Sequence, residues 1–289
     1  AFSDALSDHP SVFPRIYVSM VKAGEVGGSL DQVLVRLAEL GEHEAELRSR
    51  VRNASVYPIV VLVVAVAMTV FLITFVIPKL SLVFVESDQV LPWPTRFLLG
   101  VSGLLTQWWW AILMGLFFGG LSLKQWYQST GGKQILDRVF IAVPLLGILV
   151  RKLETSQFTR TLGVMIGQGV PILQALEVTG RNISNVVLRR SIEQATNSVR
   201  KGSSIAAALT ETEQFPLFVS NMVAVGEESG TVDQALLKVS SAYEREVDHA
   251  IKTLTTVLEP LLLIVVGGVV MFIVLAMLLP IFQIGLVVE

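Results

Sequence analysis

Two acidic residues at a fixed spacing occur twice in the chain, each time beside glycines. The first set is Gly24, Glu25, Gly28 and Asp31, and the second set is Gly226, Glu227, Gly230 and Asp233. Carboxylates close to a tight turn could bind a cation or contact a basic partner. They could also cap the helix that follows, because negative charge is favoured at a helix N-terminus. The pattern therefore predicts a partner-binding or hinge motif. The sequence leaves open whether the carboxylates contact a ligand or partner, or cap a helix.

The two motifs belong to a longer repeat with a constant offset of 202 residues. Ten of the 22 residues in 13–34 are identical to their counterparts in 215–236. Ordinary composition would give roughly one or two identities in such a stretch. The same register aligns Pro58 with Pro260. A repeat of this length indicates a duplicated structural unit.

Other patterns that carry chemistry do not occur in the sequence. The three histidines are scattered, cysteine is absent, and neither the G-x-x-x-x-G-K-[ST] loop nor the G-x-S-x-G turn is found. The formal net charge of −2 gives no reason to expect nucleic acid as a partner. We therefore predict no catalytic residue, no metal site and no cofactor.

Three stretches without charged residues predict helices that cross a membrane. Charged residues make up 16% of the chain, against about 25% in soluble domains. The predicted transmembrane helices are 53–78, 97–123 and 259–285. Each uncharged stretch exceeds the roughly 20 residues that a membrane-spanning helix needs. Pro58 and Pro260, near the start of the first and third spans, predict a helix kink, with a helix boundary as the alternative.

The distribution of basic residues predicts the orientation of the chain. Arginines precede the first span and basic residues follow the second, whereas the tail after the third span contains no Lys or Arg. The positive-inside rule places 1–52 and 124–258 in the cytosol, and the loop 79–96 and the tail 286–289 in the periplasm. The apolar segment 139–150 is too short to span and is expected to lie near the membrane surface.

Apolar residues at helical spacing indicate that both cytosolic parts are helical. The predicted fold is an all-α polytopic membrane protein with three transmembrane helices and two repeated cytosolic helical-bundle domains. The second copy is preceded by more predicted helices than the first, and the chain begins without Met. We therefore expect the first cytosolic domain to be truncated and the chain to be part of a longer protein. The glutamates at 39, 42, 44 and 46 are expected to form a solvated helix side.

The order of these features resembles that of a known protein family. Phe-Pro, Gly-Glu-x-x-Gly-x-x-Asp, a long helix, a proline and a span occur twice. In addition, Gly167-Gln168-Gly169-Val170-Pro171 with Leu176-Glu177 resembles the opening of that family's cytosolic repeat. Over essentially its whole length the chain is similar to the platform protein of type II secretion systems and type IV pili, the F family.

The resemblance implies a multi-pass protein of the bacterial inner membrane. The implied partners are a cytosolic assembly ATPase, pilin-like subunits, other inner-membrane assembly components and membrane lipid. The implied role is non-enzymatic, namely to pass the motion of the ATPase to subunits of a growing (pseudo)pilus. Family members self-associate, so a homo-oligomer is expected, and a dimer is the state we expect. Some members bind calcium, but Val35 and Leu237 follow the two aspartates by four residues, so we predict no calcium site.

A membrane transporter or channel built from a duplicated unit is the alternative function. Duplication is common among transporters. However, both copies here place their helical module before a span, in the same direction, and the uncharged stretches contain no ionisable group of the kind that marks an ion or substrate path. A membrane enzyme would need catalytic residues that the sequence does not supply.

Overall fold

The computed structural model describes residues 1–10, 12–79 and 92–287, and these ranges contain helices and no β-strand. The eleven α-helices in these ranges are α1 Phe2–Ser7, α2 Arg15–Gly27, α3 Leu30–Phe71, α4 Trp93–Gln128, α5 Thr130–Ala142, α6 Pro144–Gly167, α7 Ile172–Asn182, α8 Val186–Arg200, α9 Ile205–Glu211, α10 Leu217–Ser229 and α11 Val232–Val287. Three of them, α3, α4 and α11, are long and apolar enough to cross a membrane. The predicted all-α membrane fold is confirmed.

Helix α3 runs into a short π-helical segment, Leu72–Val76, near the end of the first predicted span. Most of the predicted loop 79–96 lies outside the described residues, as do the last two residues of the predicted tail 286–289. Their periplasmic location stays a prediction.

The first of two compact units comprises residues 1–51 and 127–252. Its core contains side chains from both copies of the repeat, with Met20 and Val33 from the first and Leu236 and Val239 from the second all fully buried. Val33, Leu236 and Val239 belong to the apolar residues at helical spacing from which the two helices were predicted. The two copies therefore share one hydrophobic core.

The second unit comprises residues 52–126 and 253–289 and contains the apolar parts of α3, α4 and α11. A small cluster joins the π-helical segment after α3 to the other two helices, and it includes Ile73 of that segment, Leu98 of α4 and Ile273 of α11. The Thr95 hydroxyl donates a hydrogen bond to the Ala276 carbonyl at 2.5 Å, so its polar group is satisfied between two apolar helices.

Both prolines of the predicted kinks lie within helices. Pro58 is inside α3 and Pro260 is inside α11, so the alternative of a helix boundary at these positions is wrong. Immediately before them, the Tyr57 hydroxyl donates to Glu259 Oε1 at 3.3 Å. These two residues are equivalent in the repeat, so the contact joins matching positions of the two long helices within the second unit. The kink itself stays a prediction.

Candidate functional site

The carboxylate of Glu227 binds the free end of a short neighbouring helix. Glu227 lies in α10, and its Oε1 accepts the amide of Ile205 at 2.6 Å while its Oε2 accepts the amide of Ala206 at 3.0 Å. The next amide, that of Ala207, donates to the Ser204 hydroxyl at 3.1 Å. The first amides of a helix have no partner within the helix itself. Glu227 and Ser204 together therefore satisfy the first turn of α9.

Glu25 makes the equivalent contact in the first copy. Its carboxylate accepts the amides of Phe2 at 2.5 Å and Ser3 at 3.2 Å, and the Ser3 hydroxyl at 2.5 Å. The hydrogen bond from the Ser3 hydroxyl, with smaller contributions from the two amides, holds the pKa of Glu25 below its usual value. Both glutamates thus cap the short helix that precedes them in the chain. The expectation that they cap the helix that follows is wrong.

The first glycine of each motif allows two helices to approach closely. Gly24 lies inside α2, where a Cβ would come within 2.8 Å of Val33 Cγ2 on α3. Gly226 lies inside α10, where a Cβ would come within 2.7 Å of Ala235 Cβ on α11. Real Cβ atoms do not approach other atoms so closely, so any side chain here would force the helices apart.

The second glycine of each motif ends its helix in the left-handed conformation. Gly28 and Gly230 both have φ of 70°. The amide of Ser29 then donates to the Gly24 carbonyl at 3.0 Å, and that of Thr231 donates to the Gly226 carbonyl at 2.8 Å. This hydrogen bond belongs to the Schellman arrangement, which favours glycine because it has no Cβ. The predicted tight turn therefore depends on the second glycine alone.

The aspartates lie in the first turns of the two long helices. Asp31 is the second residue of α3 and is exposed, whereas Asp233 is the second residue of α11 and is half-buried. Asp233 lines a cavity of about 280 Å³ in the first unit, together with Arg36, Arg160 and Gln168. Among the residues that the structure describes, no group of three His, Asp or Glu side chains could hold a metal ion. The role of the motif as a hinge or partner-binding site stays a prediction.

A set of ion pairs between the two copies was not foreseen from the sequence. This cross-repeat cluster consists of His43, Glu46 and Arg50 on α3, Arg160 on α6, and Glu244 and Asp248 on α11.

Arg50 is the central cation of the cross-repeat cluster. Its Nη1 donates to Asp248 Oδ2 at 2.6 Å and its Nη2 donates to Glu46 Oε1 at 2.7 Å. Hydrogen bonds to these two carboxylates raise the pKa of Arg50, which keeps the side chain charged. His43 Nε2 lies 3.4 Å from Glu244 Oε2, and Glu244 also accepts a hydrogen bond from Arg160. Within the first unit, α3 and α11 are therefore joined side by side in the same chain direction.

The sequence contained only a partial signal for this cluster. Glu46 precedes Arg50 by four residues, a spacing that favours a pair on one helix face. Asp248, however, lies 198 residues from Arg50, and no local pattern links them. Of the four glutamates that we expected on a solvated helix side, Glu39, Glu42 and Glu46 are exposed and Glu44 is half-buried.

Comparison with known proteins identifies the family. The family model of the type II secretion system (T2SS), protein F, matches residues 1–78 and 158–280. The chain belongs to this family, as the resemblance in its sequence indicated.

Named relatives align with nearly the whole chain. The type IV pilus assembly protein PilC of Thermus thermophilus is 40% identical over 289 residues, covering 98% of this chain and 70% of the relative. PilC of Myxococcus xanthus is 38% identical over 284 residues, covering 98% of this chain and 68% of the relative. The type II secretion system protein F of Aeromonas hydrophila is 36% identical over 285 residues, covering 99% and 74% respectively. With its three span-length helices, the chain is a protein of the bacterial inner membrane.

Proposed function

We propose that the protein is the inner-membrane platform of a type II secretion system or a type IV pilus, and that it couples a cytosolic assembly ATPase to the assembly of (pseudo)pilus subunits. The names of the relatives support this role, since they are pilus assembly and secretion system proteins. We further propose that 1–52 and 124–258 face the cytosol and that the protein acts as a homo-oligomer, with a dimer as the expected state.

The observation that carries this proposal is the linkage between the two long helices. Each of α3 and α11 begins beside a Gly-Glu motif and continues without a break into a span-length apolar stretch. A helix is stiff along its axis, since every backbone group is bonded one turn away. The Arg50–Asp248 ion pair joins the two helices before the apolar stretch begins. A partner that displaces the helical modules would therefore move both helices together.

The partners in this proposal recognise different parts of the chain. The ATPase would contact the helical modules of the first unit, and the pilin-like subunits and other assembly components would contact the apolar helices of the second. Neither interaction requires a nucleotide site or a catalytic group in this chain. Co-purification from membranes, with identification of the bound ATPase and pilin, tests the assignment directly.

A charge-swap series tests whether the linkage matters for assembly. A strain that lacks the chromosomal gene would be complemented with Arg50→Glu, with Asp248→Arg, or with both together. Surface pili or secreted substrate would be measured, and the amount of the protein in the membrane would be checked by immunoblot. Each single variant should assemble fewer pili, because it places like charges together, and the double variant should recover part of the loss.

The matched control for the charge swap is Arg190→Glu. Arg190 is exposed on α8 and has no ion-pair partner among the described residues, so this variant makes the same charge change away from the linkage. It should assemble normally. Wild-type assembly by a strain that lacks the gene altogether would contradict the proposed function. Normal assembly by Arg50→Glu at a normal protein level would contradict only the coupling through this ion pair.

A further inference from the structure

Helix α5, Thr130–Ala142, begins where the chain leaves a membrane-spanning helix. Helix α4 ends at Gln128, and Ser129 caps the next helix by accepting the amide of Gly132 at 3.1 Å. Only one residue therefore separates the two helices. Helix α4 is long and apolar enough to cross a bilayer, and its uncharged stretch ends at Leu123, before Lys124. Helix α5 therefore begins about seven residues, or about 10 Å along a helix, after that stretch.

One face of α5 is held firmly by the rest of the first unit. Asp137 is 5% exposed, and its carboxylate accepts the amide of Val186 at the start of α8 at 2.9 Å. The Asp137 carbonyl also accepts the side-chain amide of Asn185 at 3.3 Å. These contacts fix the rotation of α5 about its axis, because Asp137 can reach α8 from only one side of the helix.

The opposite face of α5 is apolar and exposed. Ile135 is 54% exposed, Val139 is 50%, Phe140 is 43% and Val143, which follows the helix, is 38%. These residues are spaced as one face of a helix. Two basic residues, Lys133 and Arg138, belong to the same helix. An amphipathic helix with apolar and basic residues at the surface is typical of a segment that lies in the headgroup region of a membrane.

We propose that α5 lies in the interface of the leaflet from which α4 emerges, with its exposed apolar face inserted and its basic residues against anionic phospholipid headgroups. A lipid surface is favoured over a protein partner for two reasons. The single-residue junction with α4 keeps the start of α5 close to the membrane-spanning helix. In addition, the basic residues match the negative charge of anionic lipids.

The proposed interfacial segment begins upstream of the apolar stretch that the sequence predicted to lie near the membrane. The apolar stretch 139–150 was expected to lie near the membrane, but it is divided between two helices. Helix α5 ends at Ala142, and Pro144 begins α6. The interfacial segment is therefore the upstream helix, and its depth in the membrane does not depend on the proposed coupling to an ATPase.

Spin labels on this chain in lipid nanodiscs test the proposal. The chain has no cysteine, so Val139→Cys carries a single nitroxide label without further changes. The matched control is Gln194→Cys, an exposed position on α8. Collision rates with oxygen, which partitions into lipid, and with a water-soluble nickel chelate would be measured by electron paramagnetic resonance. The discs would contain phosphatidylcholine alone or phosphatidylcholine with phosphatidylglycerol.

The ratio of oxygen to nickel collisions at position 139 should exceed that at position 194 several-fold, and it should rise further with phosphatidylglycerol. The additional variant Lys133→Glu/Arg138→Glu should abolish that further rise. A label at 139 that meets nickel as readily as the control overturns the proposal. A label shielded from both reagents overturns it as well, because protein then covers the face. Equal depth with and without phosphatidylglycerol overturns the assignment to anionic lipid.

Discussion

Removal of the Glu227 carboxylate should loosen α9 without unfolding the rest of the protein. In Glu227→Ala, the amides of Ile205 and Ala206 lose the acceptor that they bind at 2.6 and 3.0 Å. The Ser204 hydroxyl still accepts the amide of Ala207, so the helix keeps one of its caps. The expected effect is therefore a local opening of the first turn of α9.

The size of this effect follows from the loss of a helix cap in a partly buried place. Replacing a capping side chain by alanine costs about 0.5–2 kcal/mol. Ile205 and Ala206 are both buried, so water replaces the lost carboxylate poorly, and the cost should lie in the upper part of this range, at about 1–2 kcal/mol. Since each 1.4 kcal/mol is a factor of ten, α9 should open roughly 5–30 times more often.

Hydrogen–deuterium exchange of the full chain in detergent micelles measures this opening directly. Peptides that cover 204–211 should exchange faster in Glu227→Ala by the same factor, while peptides from α8 should not change. The matched control is Glu228→Ala, the next residue of the same helix. Glu228 is exposed and makes no hydrogen bond or ion pair among the described residues, so its replacement should leave the exchange of α9 as in the wild type.

The reasoning fails if α9 exchanges equally slowly in the wild type and in Glu227→Ala. It also fails if Glu228→Ala has the same effect as Glu227→Ala, because the effect would then come from charge or helix propensity in α10. Faster exchange throughout the first unit would mean that the glutamate supports the whole core and not one short helix.

The remaining predictions concern the other residues of the motif. Gly226→Ala should lower the free energy of unfolding by about 1–3 kcal/mol, because the new methyl would lie 2.7 Å from Ala235 Cβ. Both this variant and a control, Gly131→Ala, would be measured by thermal unfolding. A Cβ at Gly131 meets nothing within 4 Å, so the control should be neutral or stabilising. The pKa of Glu25 is lowered in the folded protein, mainly by the hydrogen bond from the Ser3 hydroxyl. The ionised carboxylate therefore stabilises α1 at pH values above 4.5, the pKa of the unfolded state. This stabilisation is lost as the pH falls through the lower pKa of the folded state. The hydrogen-exchange protection factors of α1 should therefore fall on acidification, and in Ser3→Ala the fall should begin at a higher pH. An unchanged onset would contradict the conclusion that the Ser3 hydroxyl lowers the pKa of Glu25.

The motif illustrates where sequence reasoning reached its limit. The glycine and glutamate spacing predicted a turn beside a long helix, and Gly28 and Gly230 do end their helices there in the left-handed conformation. The same spacing did not reveal that Gly24 and Gly226 act inside helices. That role depends on how close a neighbouring helix lies, and this distance cannot be predicted from a local sequence pattern.

By itself, the sequence determined the duplication, the helical class and the three span-length helices. These properties follow from residue identity along one segment: an uncharged apolar stretch must satisfy its backbone bonds within a helix wherever it lies in lipid. Only the tertiary structure decided which helix Glu25 and Glu227 cap, that the two copies share one core, and that Arg50 reaches Asp248. These contacts join residues from 22 to 198 positions apart, and their energies depend on packing geometry that local propensity does not encode.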